Sequence, residues 1–91
     1  MEHVKGKKMG DVFLYTLSTC IWCKKTKALL RELGVDFTYE DVDLLEGEDS
    51  EKVENEMEKY SSNPSFPLII IDGKMFHSGF DEDKMRKKFG K

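Results

Sequence analysis

Residues 12–33, VFLYTLSTCIWCKKTKALLREL, change periodicity half-way along. Val12 to Leu17 is a short β-branched and aromatic run, consistent with a strand buried on both faces. Ser18 and Thr19 follow as turn and cap residues. Trp22, Thr26, Leu29, Leu30 and Leu33 then recur at helical spacing, and Gly34 is placed to end the helix in a left-handed conformation. The hand-over from strand to helix carries both cysteines of the chain, Cys20 and Cys23. At a helix N-terminus the free backbone N–H groups and the helix dipole favour negative charge. The first thiol is therefore expected to lie toward the thiolate at neutral pH, with Lys24, Lys25 and Lys27 adding positive potential. A thiolate at Cys20 can attack a partner's disulfide, and Cys23, one turn on and deeper, can attack Cys20 to release the product. Half of a zinc site is the competing reading. It needs two further ligands, and only His3, in a tail, and His77, in a hairpin strand, are on offer. The strand–Cys-x-x-Cys–helix context favours redox chemistry over metal.

Working outward, Asp36 to Asp43 alternates Phe37 and Tyr39 against Thr38, Glu40 and Val42, and reads as a second strand. Strand–helix–strand implies a parallel pair joined by a right-handed crossover. Val53, Met57 and Tyr60 fall on one face of a second helix. Residues 61–65 form a loop broken by Pro64, and Pro67 opens the aliphatic strand Leu68 to Ile71. Asp72-Gly73 is a strong hairpin signal, turning into Met75 to Ser78. Gly79 breaks that strand and Asp81 is a good N-cap. Glu82 and Asp83 open the last helix and Arg86, Lys87 and Lys88 close it, complementing its dipole. The order is β-α-β-α-β-β-α. Residues 1–10 show no periodicity and are expected to be a flexible tail, leaving 11–91 as the domain.

Ninety-one residues suit one domain, and a chain this short buries only about 60–65 % of its unfolded surface. With 38 % hydrophobic and 11 % aromatic residues it is too apolar for a disordered chain. A net charge of −3 argues against a nucleic-acid partner, and no apolar run approaches the ~20 residues of a membrane span. No signal-peptide pattern opens the chain, so a cytoplasmic location is expected.

Tyr15-Thr16-x-x-Thr19-Cys20-x-x-Cys23-Lys24-x-Thr26-x-x-Leu29-Leu30, Phe66-Pro67 before an aliphatic strand, Asp72-Gly73 and Ser78-Gly79-Phe80 together resemble a glutaredoxin. The resemblance covers about residues 12–89. It implies an α/β thioredoxin fold with a four-stranded mixed sheet flanked by three helices, and a cis peptide before Pro67 in the loop facing the cysteines. It implies Cys20 and Cys23 as the catalytic pair, with substrate contacts from Thr19, Trp22, Phe66, Pro67, Gly79, Phe80 and Asp81. The backbone of Phe66 would hydrogen-bond the bound substrate chain, and no cofactor is required. Three departures stand out. The usual Cys-Pro-Tyr-Cys is Cys-Ile-Trp-Cys, a basic residue common three positions before the nucleophile is Leu17, and a Gly-Gly pair that leaves room for glutathione is Gly79-Phe80. Ser78-Gly79-Phe80 is instead similar to the small redoxins that serve ribonucleotide reductase and take electrons from a protein reductase.

The expected activity is a monomeric dithiol–disulfide oxidoreductase acting on protein disulfides such as that of a ribonucleotide reductase. Its electrons would come from a reductase or a low-molecular-weight thiol. Two alternatives stand beside it: an ordinary glutathione-dependent glutaredoxin, and a non-enzymatic module whose Cys20 ligates zinc or an iron–sulfur cluster. Trp22 has two readings, an exposed partner-contacting aromatic or the first core residue of its helix. Tyr15 is expected in the core, His77 in solvent, and Asp83 among the capping charges. Residues 40–58 hold ten acidic side chains against one lysine, Lys52, a soluble helix face that could also dock a basic partner.

Overall fold

In a computed structural model describing residues 1–63 and 65–90, the Val12–Thr16 run forms the central strand of a mixed sheet. Pro64, read above as the loop breaker, lies outside the described residues, as does Lys91. The elements in chain order are β1 (Glu2–Val4), β2 (Val12–Thr16), α1 (Ile21–Glu32), β3 (Phe37–Asp41), a 3-10 turn (Val42–Leu44), α2 (Gly47–Tyr60), β4 (Leu68–Ile71), β5 (Lys74–Ser78) and α3 (Glu82–Phe89). The sheet order is β1-β3-β2-β4-β5. β2 and β3 run parallel, with α1 as the crossover between them, and the other neighbours are antiparallel.

Side-chain alternation along the central strands divides the core in two. Val12, Leu14, Ile69 and Ile71 face α1 and α3, packing on Leu29, Leu30, Met85 and Phe89. Tyr15, Leu68 and Ile70 face the other way, onto Met57 of α2, with Phe13, Val53 and Tyr60 around them. Each such side chain contributes about 1.5–3 kcal/mol when fully buried. Asp72 and Gly73 both hold positive φ, 53° and 77°, as a two-residue hairpin turn requires. Gly34 ends α1 at φ 71°.

The sheet has five strands, where four were expected, and the fifth comes from the segment read as a flexible tail. β1 pairs with β3 in the register Glu2↔Tyr39, His3↔Thr38 and Val4↔Phe37. Main-chain and charged contacts hold it there in place of apolar periodicity. His3 Nε2 lies 2.8 Å from Asp36 Oδ2, the Gly6 N–H donates to Asp36 Oδ1 at 3.1 Å, and the Lys7 N–H donates to the Gly34 carbonyl at 2.7 Å. At Gly6 the chain passes so close to residues 34–36 that a Cβ would sit 2.6 Å from the Gly34 carbonyl oxygen.

Candidate active site

Strand register sets the site. Thr16 pairs with Asp41, Tyr15 with Leu68, and Leu68 with Ser78, so β2, β3 and β5 end, and β4 begins, at one end of the sheet. From that end leave the loop to Cys20, the Phe66-Pro67 dipeptide and the Gly79–Asp81 turn. Cys20 is the N-cap of α1, and its Sγ accepts the Cys23 N–H at 3.4 Å. Cys23 is fully buried beneath it, Cys20 is half-buried, and both are free thiols.

The peptide before Pro67 is cis, as the resemblance implied. Pro67 is fully buried and its carbonyl accepts the Gly79 N–H at 2.8 Å. The register of β2 and β4 sets this dipeptide beside the end of β2, where the chain turns toward Cys20. Gly79 needs its φ of 95° to make the next turn. Phe80 then stacks on Trp22, with ring centroids 5.8 Å apart and planes 24° from parallel. Trp22 is 51 % exposed, which excludes the core reading. Trp22 shares a face with the buried Thr26 but lies in the first turn of α1, where Phe80 and the Lys25 ammonium, 4.8 Å from its ring centroid, cover it only in part. Thr19 is exposed beside Cys20. The Asp81 carboxylate is engaged as N-cap of α3, accepting the Lys84 N–H at 3.0 Å.

Two supports were not singled out in the sequence. Asp43, on the 3-10 turn, accepts both the backbone N–H (2.8 Å) and the hydroxyl of Ser18, tying the cysteine loop to a segment 25 residues away. These bonds from Ser18 hold the Asp43 carboxyl below its ordinary range. Lys27 differs from the exposed Lys24 and Lys25. It is 8 % exposed, its Nζ lies 3.1 Å from Asp41 Oδ1 and 3.9 Å from the Tyr39 ring centroid, and Thr16 donates to the same Asp41 oxygen at 2.6 Å. Lys27 is one turn beyond Cys23 on the buried face of α1, a spacing that makes them neighbours.

Burial works against ionisation of Cys20. Hydrogen bonds from the Cys23 thiol and from the backbone N–H groups of Cys23 and Trp22, with the Lys27 charge, outweigh it and hold the Cys20 thiol below its ordinary value. Burial pushes Cys23 up to about 12, a rise that a backbone bond from Leu17 only partly offsets and the nearby Cys20 reinforces. One thiol is thus poised to ionise and the other to keep its proton. Alkylation of the reduced protein should follow the thiolate of Cys20, complete above its pKa and lost as pH falls through it. The midpoint is expected below the about 8.5 of a free thiol. Peptide mapping of iodoacetamide-treated protein across the pH range checks this, and equal labelling of both cysteines at neutral pH would refute it.

The glutaredoxin family model matches residues 12–76. The chain belongs to the glutaredoxin family. Its sequence is 36 % identical over 74 residues to a glutaredoxin-like 8.6 kDa protein in the rubredoxin operon of Clostridium pasteurianum, covering 81 % of this chain and 91 % of that protein. A glutaredoxin crystal structure from Methanosarcina mazei Go1 matches with a TM-score of 0.85 and 46 % identity, over 99 % of this chain and 87 % of the other. Methanoredoxin from Methanosarcina acetivorans matches with a TM-score of 0.85 and 42 % identity, over 94 % and 90 %. As a glutaredoxin the protein is a thiol–disulfide oxidoreductase with a thioredoxin-like fold. Among the described residues no helix is long and apolar enough to cross a membrane.

Proposed function

We propose that this glutaredoxin reduces disulfides of protein substrates in the cytoplasm by a dithiol cycle, with Cys20 as nucleophile and Cys23 as resolving thiol. The observation that carries the reading is the half-buried Cys20 thiol at the N-cap of α1 with the Cys23 thiol fully buried beneath it. In the first step Cys20 thiolate attacks one sulfur of the substrate disulfide. A Cys20–substrate disulfide forms and the second substrate sulfur leaves as thiolate, which takes up a proton. In the second step Cys23 loses its proton and attacks Cys20. The Cys20–Cys23 disulfide forms, the substrate departs fully reduced, and the enzyme has lost two electrons. A donor returns those two electrons.

Thr19, Trp22, Phe66, Pro67, Gly79, Phe80 and Asp81 surround the nucleophile in this reading. The backbone of Phe66 hydrogen-bonds the incoming chain, and Trp22 with Phe80 forms an aromatic wall against it. Asp81 contributes through the N-terminus of α3, which it caps. Ribonucleotide reductase is one candidate substrate, on the strength of Ser78-Gly79-Phe80.

The aromatic wall also bears on the donor. Phe80 fills the space that a second glycine would leave for glutathione, and Leu17 supplies no charge for its carboxylate. A charge-assisted hydrogen bond of that kind contributes about 1.5–3 kcal/mol. A protein reductase or a two-carbon thiol needs neither. The test is a protein-disulfide reduction assay run with glutathione, with a two-carbon thiol and with a thioredoxin-reductase-like flavoenzyme. Glutathione should be the poorest donor, and Phe80→Gly should raise its kcat/KM about tenfold, equivalent to about 1.4 kcal/mol. Efficient turnover with glutathione by the unaltered protein would overturn the donor assignment and make this an ordinary glutathione-dependent glutaredoxin.

A further inference from the structure

On the α2 side of the sheet, a groove of about 260 Å³ begins at Phe66. Met57, Val42 and Phe66 give it an apolar lining, with Met57 buried and the other two half-buried. Glu54 and Glu58, both exposed, stand on its rim. They are four residues apart on α2, so their carboxylates share one face, an unfavourable like-charge arrangement for an isolated helix. Neither is ion-paired with a cation among the described residues. They belong to a strongly acidic stretch, positions 40 to 58, which holds ten acidic residues against one lysine.

The place of the groove matters as much as its charge. The Phe66-Pro67 dipeptide lies beside the end of β2 that leads to Cys20. A polypeptide held against residues 65–67 would therefore bring a side chain near its reacting cysteine over Met57 and Val42. Glutathione, with two carboxylates and one ammonium at neutral pH, meets repulsion there. An apolar side chain with lysine or arginine on either side meets both components of the groove. The apolar group covers Met57 and Phe66, and the long basic side chains lay their stems along the walls with their charges toward Glu54 and Glu58.

We propose that this groove receives an apolar side chain of the substrate protein flanked by Lys or Arg, so that the enzyme selects disulfides carried in cationic segments. The inference rests on the dithiol function above and names the substrate class that this function serves. Opposite charge also steers encounter, so the selection acts on association and weakens with salt.

Three synthetic peptides test it, each with one cysteine in mixed disulfide with a chromogenic aryl thiol and with Lys-Leu-Lys, Ser-Leu-Ser or Glu-Leu-Glu beside that cysteine. At low ionic strength kcat/KM is expected to be about tenfold higher for the lysine peptide than for the glutamate peptide, and the gap should close as salt is added. Glu54→Lys/Glu58→Lys should remove or invert the order. Binding is read separately with peptides carrying serine for cysteine, by NMR shifts of the Met57 methyl and the Phe66 amide. Equal rates for the three peptides, or no shift of Met57 and Phe66 with the lysine peptide, would overturn the proposal. Absence of reduction for every peptide, with the Met57 and Phe66 shifts still present, would instead overturn the dithiol function and support the groove assignment.

Discussion

Cys20→Ser should abolish disulfide reduction, and Cys23→Ser should halt it at a covalent complex with the substrate. The two outcomes differ because the two sulfurs differ. Cys20 lies at the helix N-terminus, receives the Cys23 N–H and is biased toward its thiolate. A serine hydroxyl there is a far weaker nucleophile and a loss of at least about a thousandfold follows. Cys23 is buried and biased toward the thiol, and in the proposed cycle it attacks only once Cys20 is joined to a substrate. Without it the mixed disulfide persists until an outside thiol arrives. Non-reducing gels and intact-protein mass measurements after mixing Cys23→Ser with a disulfide protein should show an adduct that dithiothreitol releases. Full turnover of protein disulfides by Cys23→Ser would exclude the two-cysteine cycle.

The second large effect concerns stability. Asp41→Ala removes the carboxylate that faces Lys27 at 3.1 Å and the Thr16 hydroxyl at 2.6 Å, and both of those side chains are buried. Forming a buried ion pair brings little net gain, since desolvation consumes most of the attraction. Breaking one by removing a single partner costs about 3–5 kcal/mol, because the other charge is left stranded. Against a total of about 5–15 kcal/mol for a domain, that is a large share. Urea unfolding should show a markedly lower midpoint for Asp41→Ala. The double variant Asp41→Ala/Lys27→Met should recover much of the loss, as no charge remains to be solvated. A loss below about 1 kcal/mol in the single variant would mean that water reaches Lys27 freely. Lys27→Met alone should also raise the alkylation midpoint of Cys20, since that ammonium helps hold the thiol down.

The core of the fold was legible because its elements carry strong signals of their own. Val12 to Thr16 and Leu68 to Ile71 are apolar enough to be central strands wherever they occur, and Asp72-Gly73 specifies its hairpin locally. β1 was not legible. Glu2, His3 and Val4 show no alternation to detect, and the strand exists through main-chain pairing and through Asp36, more than thirty residues away. At the site, the cysteine pair announced itself, whereas its supports did not. Asp43 reads as the polar end of a strand until Ser18 is seen to donate to it. Lys27 reads like Lys24 and Lys25. Its separation by four from Cys23 and by three from Leu30, both on the buried face of α1, was the available clue. Trp22 could not be decided from spacing, because it shares a face with the buried Thr26 yet sits in the first turn of α1, where Phe80 alone among the described aromatic side chains stacks on it.

β1 also has a bearing on what kinds of chain the protein admits. An open sheet offers rows of unpaired N–H and C=O groups along its outermost strands, and these can template a neighbour's strand and seed aggregation. Without β1, the outermost position would fall to β3, five residues long and partly apolar. A three-residue strand bearing Glu2 and His3 takes that position, too short and too polar to recruit another copy. On the opposite flank, β5 is interrupted by an irregularity near Phe76, and Lys84 Nζ already donates to the Phe76 carbonyl at 3.0 Å. Both flanks of the sheet are thus poor templates for a visiting extended chain.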